Sequence, residues 1–134
     1  MMNRFRQRNW YIVIGLLGIA CRTATAPGGL PRLALLDSRE VIVPDSVDRN
    51  TTFEVGVRVL TGQCRQPGRT DVQIAGQVAV IVLYHDTECA QIDIGISMIR
   101  RASVRFSEPG TGAIRIIAEG SIGPQTIERL VTVR

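Results

Sequence analysis

A chain of 134 residues, 45% hydrophobic and 21% charged, has room for one domain with a real core and little beyond it. Its formal net charge of +4 comes from sixteen arginines, with no lysine, set against twelve acids, and three of those arginines, Arg4, Arg6 and Arg8, stand together at the start. Beyond them thirteen arginines face twelve acids, a net of +1, which excludes the basic footprint of a nucleic-acid-binding protein.

In chain order, the positive head Arg4-Arg6-Arg8 is followed by the apolar run Trp10 to Ala20 and then by a cysteine, Cys21. A run of that length spans roughly 16 Å as a helix, short of the ~30 Å hydrocarbon core, and so reads as the hydrophobic part of a signal peptide rather than a transmembrane anchor. Leu17-Gly18-Ile19-Ala20-Cys21 resembles the lipobox of bacterial lipoproteins, with Gly18 at the place where that family usually carries leucine. The resemblance implies cleavage before Cys21, alkylation of its sulfur by a lipid bearing palmitate-type acyl chains, and a mature chain of residues 21 to 134. Two other readings stay open: an ordinary secretory signal cut near Ala24 or Ala26, since Ala24-Thr25-Ala26 is an A-x-A pattern, and a short uncleaved anchor. Residues 1 to 20 are thus expected to be the signal peptide, and residues 21 to 32 a lipidated terminus with a flexible tether rich in Ala, Thr, Pro and Gly.

Once Cys21 is lipidated, Cys64 and Cys89 remain, and an even pair outside the cytoplasm is most simply a disulfide, with two free thiols as the alternative reading. Its closure should stabilise the fold by about 3 kcal/mol.

From Leu33 to Arg134 the apolar residues recur with period two between turn signals. Strands are expected over Glu40 to Pro44 and over Phe53 to Val59, where Phe53, Val55, Val57 and Val59 alternate with polar or small neighbours. Gly62 to Gly68 reads as a loop and Thr70 to Ala75 as a short strand. Val78 to Tyr84, apolar throughout, suits a strand covered on both faces or central in the core. His85 to Gln91 reads as a polar loop, Ile92 to Met98 as a strand, Arg100-Arg101 as a turn or bulge, and Ser103 to Phe106 as a further strand. Ala113 to Ala118 and Thr126 to Val133 close the series, after turns at Glu108 to Gly112 and Gly120 to Pro124.

Val43-Pro44-Asp45-Ser46-Val47 followed by Phe53 to Val57, together with Glu108 to Ile116, resembles bacterial immunoglobulin-like domains. The resemblance implies an all-β, antiparallel two-sheet sandwich of about seven strands over residues 33 to 134, used for adhesion, spacing or binding. Ala113 stands where a corner tyrosine often sits, and Cys64 and Cys89 fall in loops, so the disulfide would staple one end of the sandwich.

Chemistry is sparse. His85, Asp86, Glu88 and Cys89 lie close in sequence, but ligands of mixed hardness on one loop, without a second cluster at zinc spacing, make a poor metal signature. The only histidine has no Gly-x-Ser-x-Gly or Ser-x-x-Lys near it. No catalytic residue, metal or cofactor is therefore expected. Arg100, Arg101 and Arg105 are a candidate anion patch, with Arg65 and Arg69 a second. The expected function is a non-catalytic binding or structural module, anchored to a membrane of the bacterial envelope through Cys21, with a protein or glycan partner and no nucleic acid. Arg22, rather than an acid, follows Cys21, which by lipoprotein analogy points to the outer membrane, facing the periplasm or the cell surface. The alternatives are a small periplasmic enzyme or metal-binding protein using the His85 to Cys89 loop, and an accessory subunit of an envelope complex.

Overall fold

A computed structural model describes residues 32–62, 65–86 and 95–134. Among them are nine strands and no helix: β1 (Arg32–Leu33), β2 (Leu35–Ile42), β3 (Ser46–Val47), β4 (Phe53–Thr61), β5 (Gln66–Ala75), β6 (Val78–Asp86), β7 (Ile96–Val104), β8 (Gly110–Gly120) and β9 (Gly123–Val133). The period-two pattern sets which side of each strand is dry. Val55, Val57 and Val59 of β4, Ala79, Ile81 and Leu83 of β6, Ile114 and Ile116 of β8, and Ile127 and Val131 of β9 all turn inward and form one core with Phe53, Val104 and Phe106.

By hydrogen bonding the strands form a single curled sheet in the order β1-β6-β8-β2-β4-β7, with β5 on the outer side of β6, β9 on β8 and β3 on β9. The all-β expectation stands, but the sheet is mixed where an antiparallel one was expected. β4 runs antiparallel to β2 and, along its whole length, to β7; β5 with β6 and β8 with β9 are also antiparallel. Three pairings are parallel: β6 with β8, from Val78↔Ala113 to Val82↔Ile117, β3 with β9, and the single bridge Leu35↔Glu119 between β2 and β8. The reason lies in the β5–β6 hairpin. The place beside β8 goes to β6, whose outward residues Val78, Val80, Val82 and Tyr84 are as apolar as its inward ones, while β5, with Pro67, Arg69, Asp71 and Gln73, keeps the edge, where proline and charge are tolerated. Exchanging the two arms of an antiparallel hairpin reverses the strand sense next to β8. The hairpin turns at Gly76 with φ of 58°, a left-handed conformation that glycine adopts without a Cβ penalty.

Three further expectations change. The first main strand is Leu35–Ile42 rather than Glu40 to Pro44, and it is irregular between Leu36 and Val41. β5 begins at Gln66, inside the expected loop, with a register shift between Pro67 and Thr70. Arg100-Arg101 is neither a turn nor a bulge: β7 runs straight through it, in register with Val57 and Gly56 of β4. Cys21, Cys64 and Cys89 lie outside the described residues, as do Glu88, Ile92 and Ile94.

Candidate functional site

Arg32 pairs with His85, Leu35 with Leu60, and Thr61 with Ile96, so the chain enters the sheet at the end where β4 and β6 finish and β7 begins. This proximal end carries the unusual side chains. On β7 the inward positions are Met98, Arg100, Ala102 and Val104, continued by Phe106, and the second of these is a cation. Arg100 is only 8% exposed. Its guanidinium reaches from β7 across to the β5–β6 hairpin, where Nη1 donates to the Tyr84 carbonyl and Nη2 to the carbonyls of Gly68 (2.7 Å) and Arg69 (3.2 Å) and to Thr70 Oγ1 (2.6 Å). The side chain thus joins two strands that the backbone leaves unpaired and closes the curl of the sheet. Its partners are neutral, and no carboxylate of the described residues makes an ion pair with it. Burial pulls its pKa below the ordinary arginine value, and the more distant charge of Asp86 offsets part of that.

His85 faces the same region. Expected in a polar loop, it is instead the last inward residue of β6 and 8% exposed, with Nδ1 buried and without a hydrogen-bond partner among the described residues. Burial lowers its pKa most. The Leu33 backbone acts against that, Arg65 lowers the pKa further, Glu119 raises it and Arg32 lowers it. His85 and Arg100 both line a small cavity of about 10 Å³, together with Ala34, Val59, Thr61, Arg65 and Met98.

The three arginines of the first candidate patch do not converge. Arg100 points into the core, whereas Arg101 and Arg105 fall on the outward face with the opposite parity of the strand, where Arg101 pairs with Glu54 at 3.1 Å. An alternating strand cannot present neighbours 100 and 101 to one ligand. Of the second patch, Arg65 lines the cavity, while Arg69 stacks over the Tyr84 ring at 4.5 Å and pairs with Asp71 at 3.3 Å. Within the His85 to Cys89 segment, His85 points inward and Asp86 is exposed at the strand end. Among the described residues no three His, Cys, Asp or Glu side chains gather as a metal site would need. Gly62 and Arg65, which flank Cys64, are bonded to each other in both directions, and Gln66 lies in register with Asp86, three residues before Cys89.

Sequence reasoning missed the inward role of Arg100, although the signal was present. Carrying the Ile94-Ile96-Met98 alternation forward without a break puts Arg100 on the dry face with Ala102, Val104 and Phe106.

Compared with protein-family models, with curated protein sequences and with solved structures, the chain has no match.

Proposed function

We propose that this chain is a lipid-anchored module of the bacterial cell envelope that binds or spaces other envelope components and carries out no catalysis. The observation that carries the reading is the order of its first residues: a basic head, the short apolar run Trp10 to Ala20, the lipobox-like Leu17 to Cys21, then a tether that runs into the first strand at Arg32. In this reading Cys21 bears the acyl chain, and the mature protein stands on the outer membrane, facing the periplasm or the cell surface. The partner is a protein or glycan of the envelope, and the curled sheet is a variant of the immunoglobulin-like two-layer sandwich. The antiparallel β2-β4-β7 arm and the β3-β9 parallel pair support that kinship, and the parallel β6-β8 pair marks the variation.

A disulfide between Cys64 and Cys89 belongs to the same proposal. The pairing of Gln66 with Asp86 brings the chain flanking one cysteine beside the chain flanking the other, at the end where the tether attaches. The intact mass of protein purified from membranes tests the whole reading. Loss of residues 1 to 20, added acyl mass at Cys21 and a thiol count of zero are expected. An unmodified chain that begins at Met1, or at a residue beyond Cys21, would overturn it.

A further inference from the structure

The two most exposed large apolar side chains among the described residues are Ile122, 92% exposed, and Ile96, 65% exposed, and both stand at the proximal end. Ile122 sits in the two-residue turn between β8 and β9, closed by the Gly120↔Gly123 pair. Glycine, Asn, Asp and Ser are the ordinary residues of such a tip, and a β-branched apolar side chain does nothing for the turn itself. The base of this hairpin touches the root of the tether: Leu35 is in register with Glu119, whose N–H donates to the Ala34 carbonyl at 2.9 Å. Three residues separate Glu119 from Ile122, so the tip lies no more than about 10 Å beyond that contact. Ile96 opens β7 opposite Thr61, one residue past the Leu60 that faces Leu35. It therefore ends at the same level, three strand spacings or about 14 Å along the sheet from β8. A lone exposed isoleucine needs no explanation; two that flank the point where the chain enters do.

We infer that the proximal end is a lipid-contact face, on which the β8–β9 tip puts Ile122 into the headgroup–acyl boundary of a phospholipid bilayer and β7 sets Ile96 against the same surface. The inference rests on the lipid anchor proposed above. Arg32 stands eleven residues after Cys21, and even fully extended that stretch reaches at most about 40 Å, so the anchor keeps this end within reach of the bilayer that holds it. Anchoring also makes the contact intramolecular, and an apolar contact too small to hold a free protein to a membrane suffices for one already tethered there. Among the described residues at this end Arg32 and Arg65 are matched by Asp86 and Glu119, so the attachment is apolar rather than electrostatic and needs no anionic lipid.

The test uses protein purified from membranes, its acylation read from the intact mass, and reconstituted into phosphatidylcholine vesicles whose lipids are brominated along the acyl chains. Trp10 is the only tryptophan of the sequence and leaves with residues 1 to 20, so Ile122→Trp, Ile96→Trp and, at the opposite end, Ser107→Trp each carry a single fluorescent probe. All three positions are exposed, where substitution leaves the fold standing. The Ile122→Trp protein should lose most of its emission to the brominated lipid, Ile96→Trp a smaller part, and Ser107→Trp none. Adding Ile122→Asp to the Ile96→Trp chain should abolish the quenching of that probe, because the hairpin tip is what holds the face down. Equal quenching in Ile122→Trp and Ser107→Trp, or quenching of Ile96→Trp that survives Ile122→Asp, would overturn the contact while an acylated mass left the anchor in place. A mass without acyl groups would overturn anchor and contact together.

Discussion

A guanidinium taken out of water without a carboxylate is held only as well as its hydrogen bonds are made, and Arg100 has four acceptors from two strands to hold it. Replacing it with methionine keeps an unbranched apolar stem but, being shorter and without N–H groups, leaves the Tyr84 and Gly68 carbonyls short of a donor and unfastens β7 from β5. We expect Arg100→Met to lose about 2–4 kcal/mol in urea unfolding. Arg100→Lys should lose nearly as much, because an ammonium cannot span the same fork of acceptors. His85 gives a pH dependence whose sign follows from its lowered pKa. The fold favours neutral imidazole while the unfolded chain takes up its proton near pH 6.5, so the contribution is complete above about 6.5 and is lost as pH falls from there toward the folded-state value. Stability should decline over that window, and His85→Phe should flatten the decline, as read from unfolding midpoints against pH. Gly112 is the third single-residue device. A Cβ there would stand 2.7 Å from the Phe106 ring, which lies 6.0 Å from Phe53 in the core. Gly112→Ala should therefore cost about 1–3 kcal/mol by overpacking, measurable as a lowered Tm.

At the scale of the element, the β5–β6 hairpin decides the character of the sheet. β6 has neighbours on both sides and is apolar on both faces; β5 has one strand neighbour and carries proline, charge and glutamine. If two-faced apolarity is what draws β6 to the centre, an outward charge should hurt there and be tolerated at the edge. Val82 lies between Asp71 of β5 and Ile117 of β8, so Val82→Asp sets like charges opposite one another on a half-buried face. It should lower stability by about 1–3 kcal/mol, whereas Gln73→Asp on β5 should change it by less than about 0.5 kcal/mol, both by urea unfolding. Much of the element plan was legible in the chain. The alternation from Phe53 to Val59 produced β4, and the unbroken apolar run Val78 to Tyr84 suited a strand covered on both faces or central in the core. Arg100-Arg101 was misread because paired arginines look solvated. The acceptors that allow one of them to point inward come from residues sixteen to thirty-two positions earlier, and no local pattern contains them.

For the whole molecule, the proximal end gathers the entry of the chain at Arg32, the flanks of Cys64 and Cys89, the Arg100 clasp and the small cavity. Arg134 lies at the opposite end, where its backbone N–H donates to Val47 and its guanidinium pairs with Asp48 at 3.4 Å. In the proposed orientation the proximal end faces the membrane and the opposite end is presented to partners. Reduction of a Cys64–Cys89 bond should lower stability by about 3 kcal/mol, and a Cys64→Ser, Cys89→Ser variant should match the reduced natural chain, as read from unfolding with and without reductant. Equal stability in all four samples would remove the disulfide from the account.

What the sequence determined by itself is what depends on near neighbours: strand rather than helix, and which residues of β4 are dry. Both follow from a period of two. What only the tertiary structure decided is which strand lies beside which, and with it the parallel β6–β8 pair, the inward Arg100 and the buried His85. Those depend on competition among distant segments for one core, and on acceptors that become available to a buried cation only once the sheet has curled.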